Sequence, residues 1–476
     1  MEKVKTKGVI SATIRRNKPI ILKSILITFS ILLVVYIGIS IFFISHFQFN
    51  SIINGINVSG MNVDKANNLL AANINVVSLK LEERNGVEEK IKGKDINLKY
   101  ELDSNLDSKL EELKKEQNAF GWIFSIFDKK DSNKHISLSC DESLLKEQVE
   151  KLQCFNKENI LEPKSAYLKY ENGEYKIVEE EDGTKVKKGQ LLKVIKESID
   201  NGNYIINFEK TDCYEKPKYT LESEELKKAK ETADKYVSTK ITYQFGDRQE
   251  ILNGDIINKW ISLNEDLDIN INEIMVQDYV TSLASSYNTF GNTRDFKTSS
   301  GTTIKVSGGD YGWVIDKTQE IQKILEDIKL GTNETREPIY SQTAKSRDVN
   351  DIGNSYVEID LTKQHVWVYN DGVMVADSDC VSGNMSLNYG TPAGVYQITY
   401  KERNATLIGQ GYNSQVSYWM PFNGNVGLHD AEWRYGQFGG NIYLTNGSHG
   451  CVNLPPEKAA IIFEKVEKAM PVVCYY

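Results

Sequence analysis

The chain is 476 residues long, with 26% charged and 40% hydrophobic residues. That length exceeds one ordinary core and predicts roughly two to four domains, and the composition excludes a largely disordered chain. Formal net charge is −9, yet Lys3, Lys5, Lys7, Arg15, Arg16, Lys18 and Lys23 face a single acid, Glu2, at the N-terminus. The body is therefore the acidic part, which argues against nucleic acid as a partner.

Ser24 to Ile44 runs 21 residues without a charged side chain, long enough to span a hydrocarbon core as a helix. A cleaved signal peptide is the alternative, but bulky Phe47 and Phe49 follow where cleavage needs small residues. The expectation is an uncleaved transmembrane helix over 24–44 behind a cytoplasmic basic tail, 1–23. Everything after about residue 45 is then extracellular.

Beyond it, Ile56–Met61 and Val63–Leu70 read as a short strand, a turn and a helix. Val77–Leu81 and Glu89–Ile91 flank Gly86 as strands, and Asp107–Gln117 is a polar helix. The aromatic run Phe120–Phe127 is expected to pack into a core, with contact to a bilayer surface as the alternative. An internal resemblance follows. Tyr175–Val178, Gly183-x-Lys185-Val186 and a helix over 189–200 are echoed by Thr303–Val306, Tyr311–Ile315 and a helix over 318–329. Each reads as strand, turn, strand, helix with glycine at the helix end, which suggests tandem α+β modules over 45–225 and 226–345. Lys345–Asp351 is polar and unpatterned and reads as a linker.

The last stretch, 355–476, alternates. Val357, Ile359 and Leu361 share a face, Asn370-Asp371-Gly372 is a hairpin turn signal, and Pro455-Pro456 opens a helix with Ala459, Ile462, Phe463, Val466 and Met470 on one stripe. A β-rich sandwich is expected. The six cysteines are too sparse to form a disulfide framework, and no disulfide is assigned.

The chemistry concentrates near the C-terminus. Only five histidines exist, and two of them, His429 and His449, fall in one window with Cys451. A Cys and a His within reach of one another are the minimum for thiol catalysis, in which the imidazole takes the thiol's proton and later returns one to the leaving group. Gly450 permits a turn or a close backbone approach, so that nearby amides can face an oxyanion. An inert buried cysteine is one competing reading. A zinc site is another, although the paired ligand spacings of structural zinc are absent. The order His-then-Cys also differs from that of papain-like proteases.

His429-Asp430-Ala431, a spacer, and Ser448-His449-Gly450-Cys451-Val452-Asn453 resemble the signature of the L,D-transpeptidases. Tyr389-Gly390-Thr391-Pro392-Ala393-Gly394 also resembles that family's Thr-Pro-x-Gly segment. Asp430 stands where many members carry glycine. The resemblance implies a cysteine transpeptidase that needs no cofactor or metal and joins peptidoglycan stem peptides by 3→3 cross-links. Cys451 would be the nucleophile, His429 the proton donor and acceptor, and Asp430 its main-chain orienter. The amides of His449, Gly450 and Cys451 would form the oxyanion hole, and Ser448 and Asn453 would support the loop. Trp433, Tyr435, Phe438 and Tyr443, among four glycines, suit a mobile substrate flap. Carbapenem-type β-lactams are expected to acylate the cysteine. Gly309-x-Tyr311-Gly312-Trp313 is similar to the peptidoglycan-binding module that often precedes such domains. A hydrolase on the same site and a non-catalytic wall-binding protein are the competing functions.

Overall fold

Apolar side chains are buried in several separate cores along the chain rather than in one. The structure is a computed structural model describing residues 9–102, 105–127, 133–348, 350–409 and 411–476, without the side chains of 9–21, 133 and 412. Lys3, Lys5 and Lys7 of the expected tail and Val349 of the expected linker lie outside the described residues. The chain divides into two units, Met1–Tyr167 with Glu179–Leu221, and Leu168–Val178 with Glu222–Tyr476.

The first unit opens on the helix Val9–Ser45, whose segment Leu22–Ser45 has mean hydropathy 2.7 and is long and apolar enough to cross a membrane. The next helix, Val63–Ile74, starts where the Asn62 side chain accepts from Lys65 N–H, relieving one of the unpaired donors of a helix start. Ser78–Glu82 lies between Ile205–Asn207, parallel, and Glu88–Lys92, antiparallel. Helix Lys188–Asp200 closes that core with Leu191, Val194, Ile195 and Ile199.

Two expectations fail in this region. The run Phe120–Phe127 is not core, since Phe124 is 77% and Phe127 80% exposed. Gly183-x-Lys185-Val186 is not a strand either. Within it only Val186 forms a bridge, an isolated one to Tyr214, while Glu181 just before it bridges Lys164. Gly183 has φ +65°, and a Cβ there would lie 2.4 Å from the Leu161 carbonyl oxygen, so the site marks a close chain crossing.

The second unit begins by taking in the hairpin Leu168–Val178, although the repeat reading gave its second strand to the first module. Tyr175 packs with Ala233, Val237 and Tyr243, its N–H donates to Asp234 Oδ1 at 2.7 Å, and Tyr170 O–H donates to Asp255. Helices Glu224–Val237, Glu273–Tyr287 and Lys317–Leu330 surround a small sheet with Lys240–Phe245 at its centre. A second hairpin, Arg294–Lys297 with Thr303–Val306, packs Phe296 and Val306 on Val395, Val473 and Tyr475.

The C-terminal part is a sandwich. One sheet runs Val373–Asp379, His365–Asn370, Tyr356–Asp360, Pro471–Tyr475, Gly394–Gln397; the other runs Glu402–Gly409, Tyr412–Asn423, Val426–Asp430, Val452–Leu454. Val357, Ile359 and Val472 from the first meet Met420, Leu428 and Val452 from the second, with helix Pro456–Lys465 adding Ile462 and Phe463.

The expected linker is corrected as well. Ile352 is fully buried, and Asp351 and Arg294 are each only 4% exposed at the side chain. The guanidinium grips both carboxylate oxygens, at 2.5 and 2.8 Å, and also donates to the carbonyls of Asn292, Thr289 and Tyr311. Polarity here reflects a paired buried charge, not solvent exposure. Asp351→Ala strands that guanidinium and is expected to cost about 3–5 kcal/mol. Asp351→Asn, which keeps acceptors for it, should cost less. Denaturant unfolding of both variants against the parent measures the difference.

Candidate active site

Two short parallel strands bring the motif together. Val426–Asp430 pairs with Val452–Leu454 in the register Leu428 to Val452, His429 to Asn453 and Asp430 to Leu454. His429 therefore sits beside Asn453, and Cys451 falls just before the second strand. The sulfur lies 3.4 Å from the Asn425 carbonyl oxygen and opens onto a cleft of about 670 Å³ that His429, Trp433, Arg434, Ser448, His449 and Asn453 also line.

His429 is 3% exposed, its ring centroid 5.9 Å from that of Trp419 and 5.8 Å from that of Trp433. Burial between the two indoles disfavours the imidazolium and holds the ring's pKa below its ordinary value, so it is neutral at pH 7. Nδ1 faces the main-chain oxygen of Asp430 at 2.8 Å, and Nε2 faces the Asn453 amide nitrogen at 3.0 Å. These contacts assign the proton to Nδ1 and the lone pair to Nε2. The Asp430 carboxylate points elsewhere and accepts from the N–H groups of Ser417 and Tyr418.

Burial pushes the Cys451 thiol up to about 11, while the N–H of Gly427 works in the opposite direction. The pair thus rests as neutral thiol and neutral imidazole. Cys380 and Cys474, inside the sandwich core, are pushed further up by burial, and all six cysteines are free.

The turn before the sulfur is built by close approach. Gly450 has φ +121°, and a Cβ on Gly447 would lie 2.5 Å from the Asn384 backbone. Ser448 O–H donates to the Cys451 carbonyl and its oxygen accepts from Gly450 N–H at 3.0 Å. That amide is committed inside the turn, which removes Gly450 from the donors expected for an oxyanion. His449 is exposed to the cleft with its ring 4.8 Å from that of Tyr389.

Trp433 and Tyr435, the latter 91% exposed, reach the cleft wall; Phe438 and Tyr443 do not line it. Sequence reasoning missed two residues that hold the machinery. Arg434 donates to Asn453 Oδ1 at 2.7 Å and to the Asn446 carbonyl at 3.0 Å, so it fixes the amide that faces His429. Thr391 Oγ1 donates to the Gly450 carbonyl at 2.7 Å and accepts from Gly383 N–H. The Thr391-Pro392 resemblance was the available signal for the second; the first had none. Among the described residues, His429, His449 and Cys451 do not form a cluster of metal-ligand atoms. The cluster that exists is Glu83, Glu89 and Cys154 in the first unit.

Residues 354–474 match the family profile of the L,D-transpeptidase catalytic domain, and residues 89–207 and 219–336 each match a peptidoglycan-binding domain profile. Both halves of the internal repeat therefore carry the same domain type. Among solved structures, a cysteine-to-serine variant of the Enterococcus faecium L,D-transpeptidase is 34% identical, over 52% of this chain and 98% of that one, with TM-score 0.44. The catalytic domain of the E. faecium L,D-transpeptidase is 42% identical, over 26% of this chain and 100% of that one, with TM-score 0.25. The same domain acylated by ertapenem is 43% identical, over 26% and 98%, with TM-score 0.24. A comparison with functionally curated proteins returns no match. The catalytic-domain profile, and 34% identity extending over nearly the whole length of a relative, lead to one conclusion: the chain belongs to the L,D-transpeptidase family of peptidoglycan transpeptidases.

Proposed function

We propose that this protein is a membrane-anchored transpeptidase that forms 3→3 peptidoglycan cross-links through an acyl-enzyme on Cys451. Residues 355–476 carry the reaction, 24–44 anchor the chain with 1–23 inside the cell, and the modules 45–225 and 226–345 lie on the wall side. The observation that carries the reading is the neutral imidazole of His429, held through Nδ1 by the Asp430 carbonyl, in the same cleft as the Cys451 thiol.

In this reading the Cys451 sulfur attacks the carbonyl of the third residue of a tetrapeptide stem while His429 Nε2 takes the thiol proton. Collapse of the tetrahedral adduct breaks the bond to the terminal D-Ala, whose amine leaves with that proton. The side-chain amine of a second stem's third residue then attacks the thioester, gives up a proton to His429, and expels the sulfur, which takes that proton from the imidazole to restore the neutral pair. Nε2 is occupied by the Asn453 amide in the resting site, so substrate entry must displace or share that contact. The amides of His449 and Cys451 remain the assigned oxyanion donors, with Trp433 and Tyr435 as the flap walls. Hydrolysis, with water in place of the amine, uses the same first half of the reaction, and incubation with tetrapeptide-stem muropeptides distinguishes the two by the mass of a cross-linked dimer. A chain that only binds wall would give neither product.

Acylation by a carbapenem offers a direct test of the nucleophile, since the E. faecium catalytic domain, 43% identical, is acylated by ertapenem. Intact mass should show one adduct per chain, lost in Cys451→Ala together with all turnover. An adduct that persists in Cys451→Ala would overturn the assignment.

The proton route has a pH signature. Acylation by the parent should fall on the acid side only below the usual histidine range, because His429 must be neutral to accept the proton and its pKa is depressed. His429→Ala should be slower by about two to four orders of magnitude near neutrality. Its rate should climb about tenfold per pH unit, because the thiolate is the nucleophile, levelling off only near the thiol's value of about 11. A flat alkaline profile in His429→Ala, or the same rescue in His449→Ala, would reassign the base.

A further inference from the structure

The aromatic run Phe120–Phe127 turns its side chains outward. Phe120 is 54%, Ile123 41%, Phe124 77%, Ile126 42% and Phe127 80% exposed, and no charged residue lies between Glu116 and Asp128. A contiguous apolar surface of this kind marks a contact with something other than water. Its position says what.

The turn Ala119–Gly121 and Trp122, the first residue of the short helix Trp122–Phe127, pack on the long N-terminal helix. Tyr36 O–H donates to the Phe120 carbonyl, and Trp122 Nε1 donates to Ser40 Oγ at 3.2 Å. The Trp122 ring is 6.0 Å from that of Tyr36 and 6.3 Å from that of Phe43. At the far end, Asn50 Nδ2 donates to the carbonyls of Ser125 and Ile126 at 2.8 and 3.2 Å. These side chains satisfy main-chain oxygens that an apolar medium could not. Lys114, by contrast, places its ammonium on the Ile44 carbonyl, at the end of the long helix, as a lysine does where apolar surroundings give way to water. Tyr36 lies eight residues before Ile44, or about 12 Å along the axis, and half a hydrocarbon core is about 15 Å.

We infer that residues 119–127 form a second membrane element, a short aromatic helix inserted into the outer leaflet beside the anchor. The occupant of its exposed face is lipid acyl chain. The inference rests on the reading of Leu22–Ser45 as a membrane span. Two inserted elements hold the first unit at a fixed attitude to the bilayer, whereas a single helix leaves it free to swivel.

The test uses the full chain in phosphatidylglycerol vesicles doped with a phospholipid that carries a diazirine on its acyl chain. After photolysis, trypsin separates the anchor peptide Ser24–Lys65 from Glu116–Lys129, and mass spectrometry scores lipid adducts on each. Adducts on both, above the background of peptides from 355–476, are expected. The double variant Phe124→Asp with Phe127→Asp, altering two exposed side chains, should lower labelling of the second peptide several-fold and leave the first unchanged. Labelling of Ser24–Lys65 alone overturns the inference and spares the anchor. Full labelling of the variant overturns it too. Absence of adducts from both peptides overturns the anchor reading and the inference with it.

Discussion

The parallel pairing of Val426–Asp430 with Val452–Leu454 is the constraint on which the site depends. Parallel neighbours cannot be joined by a tight turn, so residues 431–451 must leave the sheet and return. The return is the Ser-His-Gly-Cys turn, and the departure is the Trp433–Tyr435 wall. Because side chains alternate along a strand, a slip of one residue would turn either His429 or Asn453 to the opposite face. The register is fixed from outside the pair. Asn453 exchanges main-chain hydrogen bonds with Val381, Ser448 N–H donates to Ser382, and Asn384 N–H donates to Ser448. Residues 381–384 thus serve as a template for the turn before Cys451.

The electrostatics of that turn differ from those of a preformed thiolate–imidazolium pair. Burial raises the thiol's pKa, and two indoles desolvate the histidine. In the proposed reaction, proton transfer and carbon–sulfur bond formation would then be coupled, with reactivity set by a positioned acyl donor and not by standing thiolate.

What could be read from the chain alone follows the range of the interaction involved. The His429 and Cys451 motif, the alternation of the sandwich strands and the apolar N-terminal helix are local patterns, and their residues lie where local rules put them. Arg434, which holds Asn453, was illegible because an arginine in a glycine-rich loop has no periodicity that separates a positioned charge from a solvated one. Asp351 was misread for the same reason, since its partner Arg294 is 57 residues away. The Phe120–Phe127 run was misassigned because apolar composition reports avoidance of water without saying whether protein or lipid provides the alternative. Its contacts with Tyr36 and Ser40 are long-range and leave no local pattern in the sequence.

The hairpin Leu168–Val178 alters how the repeats can be regarded. In sequence it lies within the first peptidoglycan-binding match, 89–207, but its tyrosines complete the core that the second match, 219–336, begins. The later hairpin, Arg294–Val306, repeats the arrangement, completing a core with Val395 and Val473 of the sandwich. Each module thus lends a piece of itself to its successor. A recombination event that excised residues 89–207 as a cassette would remove Tyr175 and leave the flank of helix Glu224–Val237 bare. A cut that removes the first module without stripping the second of its core must therefore fall upstream of Leu168, the start of the lent hairpin.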